Sequence, residues 1–246
     1  MKQEFFDTNT IKELIERKSI REFSDKKITE ESKEFILYAA MNAPTAGNQQ
    51  LYTILDITDQ KLKEQLVDTC DHQPFIAKAD MVLIFCADCK KWYDAFCDTG
   101  CQPRNPGVGD LLLAVSDANI AAQNAVTAAW SMGIGSCYIG DIMENCEKQR
   151  ELLHLPSYIF PAAMIVFGYP TEKQMLRQKP ERAPLASIVS ENYYPERTQV
   201  DREKLFSAEK KQNYKEWMQR FCKRKYQSDF SREMTRSVEL YLQEYL

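Results

Sequence analysis

An α+β fold is what this sequence predicts, and three observations predict it. Helix-start signals and short apolar runs follow one another irregularly, without the strict strand–helix–strand repeat of a doubly wound sheet. Two apolar runs, MVLIFCA (residues 81–87) and AAMIVFGY (residues 162–169), are continuous rather than alternating, the pattern of strands buried on both faces. Between them lies DLLLAVSDANIAAQNAVTAAWSM (residues 110–132), long, rich in alanine and nearly free of charge. Leu112, Val115, Asn119, Ala122, Val126 and Ala129 recur at helical spacing, yet the other faces are apolar too. Such a helix is expected to be buried all round. It reads as the central helix of the fold, beside a mixed sheet and at a subunit interface.

The other elements follow in chain order. Thr10 and Glu13 match a capping box at the first helix, with Ile11, Leu14 and Ile15 on its apolar face. TEES at residues 29–32 starts a second helix, whose expected buried face is Phe35, Ile36, Ala39 and Ala40 and whose stop is Pro44. Residues 51–58 (LYTILDIT) read as a strand and residues 61–67 as a short helix. Gly133 and Gly135 end the central helix, residues 137–140 form a short extended piece, and residues 147–154 read as a helix closed by Pro156. After Tyr194 the composition shifts to a charged, lysine-rich stretch with Phe206, Tyr214, Trp217 and Phe221. Residues 231–246 pattern as an amphipathic helix carrying Met234, Val238, Tyr241 and Leu242. The expected division is a domain at 1–195 and a helical extension at 196–246 that packs over the body or over a partner subunit.

Composition narrows the functional classes. With 44% hydrophobic and 28% charged residues over 246 positions, the chain has the make-up of a globular protein with one sizeable core. The apolar runs are too short to span a bilayer and the N-terminus shows no apolar leader, so the expectation is a cytoplasmic protein without membrane contact. A net charge of −4 argues against a general nucleic-acid surface. Only His72 and His154 are available for acid–base work, so no catalytic side chain is nominated. GIGSCYIGD (residues 133–141) follows a helix instead of opening one, which excludes the dinucleotide fingerprint.

Four of the eight cysteines cluster as C-x2-C-x7-C-x3-C at Cys86, Cys89, Cys97 and Cys101. A tetrahedral metal site needs all four to converge. Cys86 falls inside an apolar strand, the spacer is short for a zinc module, and no histidine joins in. The reading is reduced thiols and no metal, with an iron–sulfur cluster as the sharper alternative.

Two segments invite a ligand. In ERKSIREF (residues 16–23) the cations suit a helix C-terminus, but two guanidiniums and a hydroxyl also suit a phosphate. APTAGNQQ (residues 43–50) is a helix-to-strand connection, or a loop whose Thr45 hydroxyl and Asn48 amide touch a flat polar ligand. These two, followed in order by CDHQPFIAKAD, SDANIAAQNAVTAAWSMGIGSCYIGD and KPERAPLASIV, resemble the FMN-dependent nitroreductase and flavin-reductase family over residues 10–194. The likeness is greatest to its oxygen-insensitive NADPH nitroreductase branch.

The resemblance implies a nitroreductase-like α+β fold, an intertwined homodimer, and two FMN molecules at its interface. By position, Arg17, Lys18, Ser19 and Arg21 correspond to phosphate and ribityl contacts. Pro44, Thr45 and Asn48 correspond to flavin contacts given to the partner subunit. Gln73 would face the isoalloxazine ring, and Tyr138, Ile139 and Gly140 would border it. Lys179 and Arg182 would close over the phosphate, although KPERAP has one residue more between proline and arginine than the K/R-P-R pattern. The implied activity is NAD(P)H-driven reduction of nitroaromatics, quinones or flavins by ping-pong kinetics. A different redox task on the same fold (dehalogenation, dehydrogenation) and a flavin- or nucleotide-binding module without turnover stand as alternatives.

Overall fold

A computed structural model describes residues 8–246, apart from the side chain at position 209. The first seven residues of the predicted 1–195 domain lie outside the described residues. The chain divides into two compact units: one runs to Arg177 and resumes at Glu233–Leu246, the other is Gln178–Arg232.

The first unit holds the sheet. Its strands are β1 (Tyr52–Asp56), β2 (Met81–Asp88), β3 (Gly135–Ile139) and β4 (Ile159–Gly168), in the order β1-β2-β4-β3. All three ladders are antiparallel. Parallel pairing enters, among the described residues, only at the single bridge Ser19–Ser136. β2 and β4 are central and buried at every residue, which is why their sequences run apolar without alternation. Successive residues still point to opposite faces. Leu83, Phe85, Ile165 and Phe167 enter one core, and Val82, Ile84, Met164 and Val166 the other.

The first core packs against α6 (Val108–Ser131) and α2 (Glu30–Met41). The second is covered by α3 (Gln60–Thr69) and α7 (Cys146–Leu153). The buried stripe of α6 is Leu111, Ala114, Ala118, Ala121, Ala122, Ala125, Val126 and Ala129. The expected burial on all faces is not met within one chain: Leu112, Leu113 and Ile120 are 61%, 51% and 40% exposed. Among the described residues, none covers these apolar side chains.

Two local differences from the sequence reading have plain causes. α1 (Asn9–Glu16) begins two residues early, with extended Thr8 at its cap and no side-chain cap bond, so the Thr10–Glu13 box does not form. By contrast Thr29 does cap α2, accepting the Ser32 N–H. Three short helices, α4 (Phe75–Lys78), α5 (Lys90–Asp98) and α8 (Glu172–Leu176), go unforeseen; α4 and α8, at four and five residues, are too short to display a helical period.

The second unit contains α9 (Leu185–Ile188), α10 (Gln199–Leu205) and α11 (Tyr214–Tyr226). Thr198 and Asp201 form a reciprocal capping box on α10. In α11, Tyr214, Trp217 and Phe221 stack one turn apart, with ring centroids 6.3 and 5.2 Å apart. The last helix, α12 (Asp229–Leu242), returns to the first unit at Glu233. There Tyr241 is fully buried, edge-on to Phe160 with centroids 5.1 Å apart. Among the described residues no helix is long and apolar enough to cross a membrane.

Candidate functional site

The segment after α1 is laid across the ends of β3 and β4. The Ile20 N–H donates to the Ser136 carbonyl at 2.9 Å, and Phe23 bridges Pro170. Glycine makes the approach feasible. A Cβ on Gly135 would stand 2.5 Å from Ile20, and one on Gly168 would stand 2.7 Å from Phe23. Ile20 is fully buried, which anchors the chain between Ser19 and Arg21.

Arg17, Ser19 and Arg21 are thereby gathered about Cys137 of β3. Burial raises the Cys137 thiol pKa, while Arg21, a hydrogen bond with Ser19, and Arg17 pull it back. Arg17 Nη1 is buried without a hydrogen-bond partner. Among the described residues no carboxylate pairs with Arg17 or Arg21. Lys18 is used elsewhere: its ammonium donates to the carbonyls of Met175 and Arg177 at 2.5 and 2.7 Å, at the C-terminal end of α8. An unpartnered buried guanidinium nitrogen is costly, and an anion removes the cost.

The loop carrying Pro44, Thr45 and Asn48 is held from two sides. Asp117 of α6, only 3% exposed, accepts the N–H groups of Ala46 at 2.9 Å and Leu51 at 3.2 Å. Trp92 of α5 donates its indole N–H to the Gln49 carbonyl at 2.7 Å. Between these clamps Gly47, Asn48 and Gln50 adopt left-handed conformations, and Thr45 Oγ1 accepts the Gln50 N–H at 3.2 Å. Sequence reasoning missed Asp117. A lone aspartate inside an alanine-rich helix is the signal that it has a buried task.

The third segment brings Gln73 to Asp141. Gln73 Nε2 donates to the Cys70 carbonyl at 3.1 Å and to Asp141 Oδ2 at 2.9 Å. Asp141 lies in the turn Gly140–Met143, directly after β3. Ile139 is buried, while Tyr138 is half-buried with its pKa pushed up to about 12 by burial. Tyr138 donates its hydroxyl to Gln123 Oε1 at 3.4 Å. Glu144, 5% exposed, keeps an Oε1 without a partner. Burial first, then Asp141, Asp71 and Glu233, push its carboxyl up to about 7.

Lys179 and Arg182 belong to the second unit. Arg182 lines a polar cavity of about 320 Å³ with Ser207, Lys210 and Lys211, and Lys210 pairs with Glu181 at 2.6 Å. His72 precedes Gln73 in the same turn, but its side chain is exposed and lies 3.6 Å from Asp68, and His154 ends α7 in a left-handed conformation. Cys86 and Cys89 are buried, whereas Cys97 and Cys101 are exposed; all are free thiols. Among the described residues no three His, Cys, Asp or Glu side chains come together to hold a metal ion. Burial pushes the thiols of Cys86 and Cys89 up to about 12, which makes them inert at neutral pH.

Known proteins resemble this chain over most of its length. The oxygen-insensitive NADPH nitroreductase of Salmonella typhimurium is 36% identical over 186 residues, 75% of this chain and 74% of that protein. An FMN reductase (NADPH) of Bacillus subtilis is 31% identical, covering 76% of this chain and 74% of its own length. The solved NfrA1 nitroreductase of B. subtilis superposes with a TM-score of 0.78 at 27% identity, over 92% of this chain and 98% of its own. The sequence pattern of the nitroreductase family matches residues 14–169, which contain the Arg17–Arg21 segment, the clamped loop and the Gln73–Asp141 pair, and the chain belongs to that family.

Proposed function

We propose that this protein is an NAD(P)H-driven flavin oxidoreductase that holds FMN and reduces nitroaromatics, quinones or free flavins. The observation that carries the reading is the cation group: a buried, unpartnered guanidinium nitrogen on Arg17, with Ser19 and Arg21 gathered beside the same thiol. That donor set suits a phosphomonoester, which offers oxygen acceptors to a planar fork of N–H groups. The relatives named above reduce with NADPH, and one is an FMN reductase.

When bound, FMN supplies the hydride-accepting ring nitrogen and passes the electron pair to a second substrate. The residues of this chain do the rest. Arg17, Ser19 and Arg21 hold the phosphate. Pro44, Thr45 and Asn48 contact the flavin of the partner subunit, in a loop that Asp117 and Trp92 keep in one shape. Gln73 faces the ring, and Tyr138, Ile139 and Gly140 border it. With the two substrates taking turns in one pocket, kinetics are ping-pong, and no side chain need shuttle protons.

The assembly is a homodimer. The uncovered apolar residues support it: Leu112, Leu113 and Ile120 on α6, and Phe35, Tyr38 and Met41 on α2, each at least 40% exposed. The region after residue 195 is assigned to the dimer as well, and the protein to the cytoplasm. The test is optical. Protein reconstituted with FMN should bleach with NADPH or NADH in anaerobic buffer and recover its colour on adding a nitroaromatic or quinone. Bound flavin that no pyridine nucleotide bleaches would contradict the enzyme reading.

A further inference from the structure

The candidate site is electrically polarised along β3. Arg17, Ser19 and Arg21 gather about Cys137, the middle residue of the strand, where Ser19 pairs with Ser136; past the strand's end come Asp141 and Glu144. The Cys137 thiol registers both ends, since Arg21 and Arg17 favour its thiolate and Asp141 opposes it. Gln73 stands at the negative end. It is delivered by a turn in which Asp71 and His72 are both left-handed, at φ 56° and 50°. Non-glycine residues adopt that conformation at a cost, and such strain collects where a side chain must be aimed.

The hydrogen bonds of Gln73 decide what it offers. A primary amide carries two N–H donors on one nitrogen and an acceptor oxygen. The nitrogen is committed to the Cys70 carbonyl and to Asp141 Oδ2. What remains to meet a ligand is the oxygen. Asp141 therefore selects which end of the amide is presented. Among the described residues no lysine or arginine pairs with Asp141. Asp71 adds to the negative side, and the buried Glu144 answers this crowding by holding its proton up to about pH 7.

We infer, resting on the FMN reading above, that Asp141 is a positioning and specificity residue: it turns the Gln73 oxygen toward the flavin ring and places a negative charge beside it, making the bound cofactor a stronger reductant and disfavouring anionic acceptors. The physics is direct. Reduction adds negative charge to the flavin ring, and a nearby carboxylate with no donor offered by Gln73 opposes that gain. The cations at the other end keep affinity high through the phosphate. Retention and potential are thus set by opposite ends of one strand.

Two variants separate charge from orientation. Asp141→Asn keeps an oxygen for Gln73 Nε2 and removes the charge; Asp141→Ala removes both. The midpoint potential of FMN bound to each is measured by spectroelectrochemistry, with rates against a neutral quinone and its sulfonated analogue. Asp141→Asn should make the potential less negative by about 30 mV, a tenfold shift toward the reduced form for a two-electron couple. It should also raise the sulfonated-to-neutral rate ratio several-fold, and Asp141→Ala should move both further. Variants that bind FMN at the parent's potential and rate ratio would overturn the assignment of Asp141 alone. Wild-type protein that takes up no FMN would overturn the cofactor reading, and this inference with it.

Discussion

The two ends of β3 solve opposite problems with the same materials. At the cation end, Arg17, Ser19 and Arg21 lie within five consecutive residues, and the backbone of Ile20 fixes the segment with one hydrogen bond to Ser136. At the carboxylate end, Gln73, Asp141, Glu144 and Glu233 come from three separate stretches of chain. The cation end leaves a donor unsatisfied, at Arg17, and the carboxylate end leaves an acceptor unsatisfied, at Glu144. Unsatisfied buried groups of opposite kind, one beside β3 and one past its end, are what the proposed ligand contacts rest on.

The largest expected effect lies at the cation end. Replacing Arg17 or Arg21 by alanine removes a charge-assisted contact and should weaken FMN retention by about 1.5–3 kcal/mol, read as a 10- to 150-fold rise in Kd by flavin fluorescence. Gly135→Ala should push Ile20 off β3 and lower stability by about 1–3 kcal/mol in urea melts, with loss of FMN affinity. A change at Gly135 that destabilises the protein while sparing FMN binding would separate the fold of this segment from its function.

Smaller effects sharpen the contrast. The Glu144 carboxyl holds its proton more tightly in the folded chain, at about 7 instead of the ordinary 4.5. Between those values the folded state binds more protons than the unfolded, so stability falls as pH rises through that window. Glu144→Gln should abolish that slope in melts taken across it. Glu147 and Glu233 behave oppositely, since Arg236 holds both near about 2; their contribution is present above 4.5 and is lost as pH falls toward 2. Least affected should be Lys18→Met. With its ammonium bound to the Met175 and Arg177 carbonyls, its loss should change the FMN Kd less than either arginine substitution.

The same contrast explains what the sequence disclosed. The cation cluster was legible because its members are neighbours in the chain, and the buried strands because β2 and β4 are apolar at nearly every position. The Thr29 cap was legible because capping is local, whereas α1 starts after an extended Thr8 that makes no side-chain cap bond, so no capping signal marks its start. Asp117, Asp141 and Glu144 stayed hidden, since a carboxylate declares its role only through what faces it. For Asp117 the partners are 71 and 66 residues away, and for Asp141 the Gln73 amide is 68 residues away. The exposed Leu112 and Leu113 show the converse limit: apolar patterning marks a face for cover, and among the described residues nothing covers these two.

The central claim is that a phosphate is gripped by Arg17, Ser19 and Arg21. Titrating the FMN-free protein in parallel with FMN and with riboflavin, which has the ring and ribityl chain but no phosphate, tests it most directly. Binding at least tenfold tighter for FMN, with the advantage erased in Arg17→Ala and Arg21→Ala, is the predicted result. Equal affinities for the two flavins, or an FMN advantage that survives both substitutions, would contradict it.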